Sequence, residues 1–291
     1  LNFAPGFNDH AFVRQFLDGR DAAFFSGDIG RLYWGKVESL TRNVLYIKPG
    51  IVLMLDIAKP GKKDVDVTLL YQTSHLKDID PGHQVSKITK GGFSLNIMHL
   101  APRFVESKAV ETPHYLKTLL REKPLVKEGM LTVTAHTHGT PLVMANLLTT
   151  TADGVAPDVS VKNGNGFESG EISGKKFVFT TIPGSLYQTE NMETDALAVT
   201  WSSERTFVAM TTIFKKNNNL ILKSDFPVTF ELSGNSLKYY CDKAGELKIG
   251  AASKPSSIML NGEIVKTYLY DKENRVVIIK VPKGEGAIVV K

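Results

Sequence analysis

Two histidines two residues apart, His136-Thr137-His138, form the tightest ligand spacing in the chain. On an extended strand alternate side chains share a face, so both imidazoles could meet one metal ion. Spacing supplies no third ligand, and the following Gly139-Thr140-Pro141 reads as an exposed turn at a strand end. No metal site and no cofactor is therefore assigned. His10, His75, His83, His99 and His114 are scattered, and none stands in a spacing with Ser, Cys or a carboxylate that identifies a triad. Asn8-Asp9-His10 is the most crowded polar group near the start.

Aromatic rings beside guanidinium groups are a second kind of chemistry. Arg31, Tyr33 and Trp34, with Arg20 nearby in the sequence, offer flat faces for sugar rings and cations for acidic substituents. These four are the candidate substrate-binding residues, against the plainer reading of edge-strand aromatics with solvated arginines. The single cysteine, Cys241, follows Tyr239-Tyr240 in a strand-like stretch and reads as a small buried hydrophobe rather than a nucleophile. Gly164–Gly170 has the glycines of a phosphate loop without its spacing or a following helix, and reads as a plain loop.

The chain that must position these residues has 291 of them, 42% hydrophobic and 22% charged, enough to bury a sizeable core and too apolar for a disordered chain. Lys and Arg number 35 against 30 Asp and Glu, an excess of five that favours an anionic partner. The strongest local imbalance is Arg103–Lys127, read as a solvated basic face or a polyanion contact. No basic run interleaved with aromatics points to nucleic acid. The longest apolar stretch, Ile51–Leu55, is far short of a membrane span. A start at Leu1-Asn2-Phe3 reads as a piece of something longer.

Period-two patterning dominates. Val44–Ile47 and Ile51–Leu55 flank Lys48-Pro49-Gly50 as a hairpin. Further strands are expected at Val65–Tyr71, Phe93–Leu100, Leu131–His136, Leu142–Thr149, Phe177–Ile182, Ala196–Trp201, Thr206–Phe214, Val228–Leu232, Ile258–Leu260, Ile264–Tyr268, Val276–Val281 and Ala287–Val290. Only Pro113–Lys123 carries a helical spacing, through Leu116, Leu119 and Leu120. The expected fold is all-β: a large antiparallel, supersandwich-like β-sandwich over residues 1–215, then a smaller C-terminal β-domain over 216–291. Lys215-Lys216-Asn217-Asn218-Asn219 is the linker candidate by composition.

The run Phe12–Gly19, Ala22–Asp28, Val37–Asn43 and Val44–Asp56 resembles the C-terminal β-sheet region of the heparinase II/III-like polysaccharide lyases, in which a Gly-Asp strand leads to an Arg-containing strand and a Lys-Pro-Gly, hydrophobic, Asp hairpin. Weaker echoes follow at Gly91–Pro102, Pro141–Thr149 and Leu260-Asn261-Gly262. The resemblance implies β-elimination of uronic-acid polysaccharides: the carboxylate is neutralised, a base removes the C5 proton and an acid protonates the leaving oxygen. In that family those groups come mainly from a preceding helical toroid and a His-x-His motif at the start of the sheet. This chain lacks the toroid, His10 lacks that pattern, and His136 and His138 come too late to match it. No catalytic residue is carried over.

The resemblance thus implies a catalytically incomplete β-portion, part of a substrate cleft for an acidic polysaccharide such as a glycosaminoglycan or alginate. Its partner would be a helical lyase domain, and its location periplasmic or extracellular. A stand-alone sandwich binding acidic glycans without catalysis, and a structural β-protein that meets other chains, are the alternatives.

Overall fold

Alternation of apolar and polar residues, with Gly, Pro and Asn at the breaks, drives this chain into antiparallel strands almost throughout. The computed structural model describes residues 11–33, 35–114, 126–152 and 154–291, and among them the only helices are two short 3-10 turns, Gly30–Tyr33 and Leu76–Asp78. None is long and apolar enough to cross a membrane, which says nothing about a β-barrel. The all-β expectation holds, with several antiparallel sheets and no barrel. Asn8-Asp9-His10, Trp34 and Tyr115–Leu125 lie outside the described residues, and the side chain of Arg31 does too.

Two compact units emerge. The first holds Ala11, Asp28–Asn43 and Gly50–Pro157 of the described residues. One of its sheets runs Ile51–Pro60, Leu142–Thr151, Phe93–Ala101, Val85–Lys90, Ile79–Asp80, with the start of Val37–Ile47 beside Ile51–Pro60. A second sheet runs Asp66–Thr73, Val126–His136, Glu106–His114. In the second sheet Val67, Leu69 and Tyr71 stand opposite Ala135, Val133 and Leu131, and Leu131 and Val133 are wholly buried. Their neighbours Thr68 and Thr134 bond each other on the exposed face, 3.0 Å apart. The two sheets meet through Ser86 of one and Ser107 of the other, with hydroxyls 2.8 Å apart. The face of the first sheet that carries Ser86 also carries buried Ile97 and Met54, so one layer packs on the other as in a sandwich.

The second unit comprises Phe12–Gly27, Val44–Pro49 and Asp158–Lys291. Its longest strand, Asn219–Ser233, changes partner midway: Leu222–Ser224 pair with Gly245–Gly250, whereas Val228–Ser233 pair with Ser236–Cys241. Pro227 sits at the change, where a residue without an N–H leaves no ladder bond unmade. The strand thus feeds two sheet regions that enclose one core containing Phe214, Phe230, Tyr239, Leu247, Val277 and Ile288. Phe214 and Phe230 meet edge to face at 5.6 Å between centroids. Phe12–Asp18 is tied to this unit by Gln15, whose Nε2 donates to the Pro227 carbonyl at 2.9 Å.

Three expectations are corrected, and a fourth falls largely outside the described residues. Lys215–Asn219 is a hairpin tip: Lys216 faces Asn219, and Asn217 and Asn218 take positive φ, a tight turn whose composition mimics a linker. Pro113 and His114 end the Glu106–His114 strand, paired with Lys127 and Val126, while Leu116, Leu119 and Leu120, which carry the helical spacing, lie outside the described residues. Ile264–Tyr268 is not one strand, since pairing covers Glu263–Ile264 and then Leu269–Asp271. Only the first part of Gly164–Gly170 is a loop, because Phe167–Gly170 pair with Phe177–Thr180.

Candidate functional site

A recess of about 110 Å³ in the first unit gathers Tyr33, Lys36, Arg42 and Asp56 over an apolar lining that includes Leu40, Val67 and Leu69. Each polar member is set by its own element. Tyr33 ends the Gly30–Tyr33 turn, which starts where Asp28 accepts the Gly30 N–H at 3.1 Å. Gly30 lies so close to the Leu40 backbone nitrogen that a Cβ would stand 2.7 Å from it, so this approach requires glycine. The Lys36 N–H donates to the Tyr33 carbonyl at 3.0 Å, which turns Lys36 back to the same mouth.

Arg42 and Asp56 form the floor. Arg42 Nε donates to Asp56 Oδ1 at 2.8 Å and Nη2 to Oδ2 at 3.3 Å, a side-on pair that leaves Nη1 unused by the carboxylate. The Asp56 side chain is 1% exposed and the Arg42 side chain 41%. Burial pushes the Asp56 carboxyl above its ordinary pKa, by more than the bond and charge of Arg42 pull it down. Burial pulls Arg42 down, yet the bond to Asp56 and the neighbouring Asp56, Tyr71 and Tyr33 carry it above the usual guanidinium value. Tyr71, whose hydroxyl is buried without a partner, is raised by burial and then by Asp56. Asp66 also borders the recess, but its carboxylate is engaged by His136 Nδ1 at 2.8 Å.

Chemically, the recess presents a permanent guanidinium and an ammonium beside a phenol ring that is 48% exposed. Such a set can hold a carboxylate or sulfate while a sugar ring lies on the aromatic face. Asp56 is engaged by Arg42, and burial raises the pKa of the nearby Tyr71 hydroxyl.

Of the four residues expected to bind substrate, the structure places Tyr33 at this mouth, and Arg31 in the same turn. Arg20 is exposed in the second unit, where its backbone N–H donates to Glu231 Oε2 at 2.9 Å. Trp34 lies outside the described residues. Lys36, Arg42 and Asp56 are not among the expected binding residues, although Arg42 and Asp56 belong to the Arg-containing strand and the hairpin of the resemblance. A signal existed: Pro49, the centre of the expected turn, lies seven residues after Arg42 and seven before Asp56 (49 − 42 = 7; 56 − 49 = 7), so a hairpin sets them opposite.

His136 and His138 do meet, ring centroids 5.1 Å apart, with His136 bonded to Asp66 on an exposed edge. No group of three His, Cys, Asp or Glu suited to a metal occurs among the described residues. A Ser-His-Asn chain that spacing did not reveal runs inside the first unit: Ser86 Oγ lies 2.9 Å from His99 Nε2, and His99 Nδ1 lies 2.7 Å from Asn146 Oδ1. An amide oxygen only accepts, so the proton sits on Nδ1 and Nε2 accepts from Ser86. Ser86 is 0% exposed, so this chain cross-links the sandwich and offers no nucleophile to a substrate. In the basic stretch Lys127 pairs with Glu111 at 2.7 Å, and Lys108 pairs with Glu106, which cancels part of its charge.

The sequence matches no protein-family model and no curated protein. A mutant of the heparan sulfate lyase HepC from Pedobacter heparinus is similar over 58% of this chain and 27% of its own, at 15% identity and a TM-score of 0.48. HepC itself covers 56% and 26%, at 15% identity and a TM-score of 0.47. The chain thus spans about a quarter of the length of those lyases.

Proposed function

We propose that this chain is the β-sheet portion of a heparinase II/III-like polysaccharide lyase, working outside the cytoplasm on an acidic polysaccharide. It forms one wall of the substrate cleft, and a helical lyase domain of the parent chain supplies the base and acid of the β-elimination. The observation that carries this reading is the meeting of Arg42, Lys36 and Tyr33 at one recess, with Arg42 fixed in place by buried Asp56. A uronate carboxylate or a sulfate would meet Arg42 and Lys36 while the ring rests on Tyr33. The motif run through Val44–Asp56, which ends on the recess residue Asp56, supports the family reading.

The test combines binding and turnover on this chain. Heparan sulfate and alginate are titrated at rising salt while the ultraviolet absorbance of unsaturated uronate is followed. The expected result is binding that weakens with salt, falls further in Lys36→Ala and Tyr33→Ala, and yields no absorbance. Both substitutions are at exposed positions, so the fold survives them. Product formed by the chain alone would overturn its catalytic incompleteness, and absence of binding at low salt would overturn the cleft wall.

A further inference from the structure

The second unit carries a larger groove, of about 520 Å³, over the sheet formed by Ser160–Asn163, Phe167–Ile172, Lys175–Thr180 and Ala198–Trp201. Register decides its floor. Ser160 pairs with Glu171, Glu171 with Lys176 and Lys176 with Trp201, so these four side chains form one straight row across four strands. The next row on the same face runs Lys162, Ser169, Val178, Val199. Val178 and Val199 belong to the core of the unit. The face that is core at one end is therefore serine, lysine, glutamate and tryptophan at the other, where apolar residues would have been expected to continue. Tyr187 overhangs it, its ring packed on Phe167 at 5.2 Å between centroids, and Asp158 joins at the rim.

We infer that this groove binds an uncharged carbohydrate chain, with Trp201 and Tyr187 stacking on pyranose faces and the polar row reading hydroxyls. Trp201 and Tyr187 are each half-buried, fixed by packing with one side open, which suits a ring that stacks without reordering. Carboxylates accept from vicinal hydroxyls, lysines donate to ring and hydroxyl oxygens, and serines do both. The charge balance selects the class: Lys162 and Lys176 are matched by Asp158 and Glu171, so the groove has no net positive charge to draw a sulfated or uronate-rich chain. This inference does not rest on the acidic-glycan recess, whose composition and expected salt dependence are the opposite.

Trp34 and Trp201 are the two tryptophans, so in a Trp34→Phe variant fluorescence reports on Trp201 alone. That variant is titrated with cellohexaose, mannohexaose and N-acetylchitohexaose, and calorimetry repeats the titrations on the unsubstituted chain. Saturable change with at least one hexasaccharide is expected, unaltered between about 0.05 M and about 0.5 M salt. Glu171→Gln and Tyr187→Ala, each folded by circular dichroism, should bind it about tenfold more weakly. Failure of all three sugars in both measurements would overturn the inference. So would binding that neither substitution weakens, or a groove that takes heparan sulfate instead. Loss of heparan sulfate binding in Lys36→Ala bears only on the recess, so the two readings fail separately.

Discussion

Arg42 and Asp56 stand opposite one another in the first unit, joined side-on at 2.8 and 3.3 Å, with the carboxylate buried and the guanidinium half in solvent. The asymmetry matters for both partners. Asp56 has Arg42 as its bonded counter-charge, whereas Arg42 Nη1 is left unused by the carboxylate. A residue that binds an anion is thereby held in one orientation by an anion of its own.

Removing that guanidinium should cost stability in a pH-dependent way. Asp56 is already raised above 3.8 in the fold, so its contribution favours the folded state most at low pH and is lost as pH rises through the raised value. Arg42→Ala raises it further. The expected loss is about 2 kcal/mol at neutral pH, below the ~3–5 kcal/mol of a fully buried broken pair because Arg42 is partly solvated, and smaller near pH ~4. Urea unfolding at the two pH values measures it, and equal losses would contradict the argument.

His99 should give the sandwich an acid-sensitive cross-link. Its pKa is lowered from 6.5 chiefly by burial, against the bond to Asn146, so the unfolded chain takes up the proton first. Stability is fully present above 6.5 and is lost as pH falls from there towards the lowered folded value. His99→Gln should remove that slope while lowering stability at neutral pH by about 1 kcal/mol through a lost buried bond. Thermal unfolding across this window is the check; an unchanged slope in the variant would refute it.

Asp195 holds a break in the long hairpin of the second unit. Its carboxylate accepts the N–H groups of Thr212 at 2.9 Å and Ile213 at 3.1 Å and lies 2.6 Å from Thr211 Oγ1, with the Thr212 hydroxyl bonded as well. This is where the register with Asn219–Ser233 shifts and Met210 takes a φ of 54°. Burial raises the carboxyl, but the bonds outweigh it and leave it below 3.8. That stability is present above 3.8 and lost as pH falls through the lower folded value. Asp195→Asn sets an amide donor against these donors and should cost about 2 kcal/mol at neutral pH, with faster amide exchange at Thr212 and Ile213. Unchanged exchange there would dismiss the role.

Cys241 should be chemically silent in the folded chain. It is 0% exposed and burial raises its thiol above 9.0, so too little thiolate is present and nothing can reach it. An aromatic disulfide reagent should titrate no thiol natively and one per chain in denaturant. Rapid native reaction would place the residue outside the core.

Much of the fold was legible because strands announce themselves by alternation. Leu142–Thr149, Thr206–Phe214 and Val276–Val281 fall inside observed strands, each packing one face on an apolar layer. The misses share a cause. Ser160–Asn163 and Glu106–His114 are polar strands that exist only because a neighbour supplies hydrogen bonds, and Asn217-Asn218 serves a tight turn with the residues that a linker would use.

By itself the sequence determined the strand-rich class, the burial of Cys241, the aromatic and cationic character around Tyr33 and the hairpin centred on Pro49, since these depend on local pattern and composition. Which residues share a site was decided only by tertiary structure. Lys36 comes to the recess of Arg42 through a backbone turn, Ser86 reaches His99 and Asn146 through three strands, and Trp201 joins Ser160 through four, because turns and antiparallel register bring together side chains that are far apart along the chain.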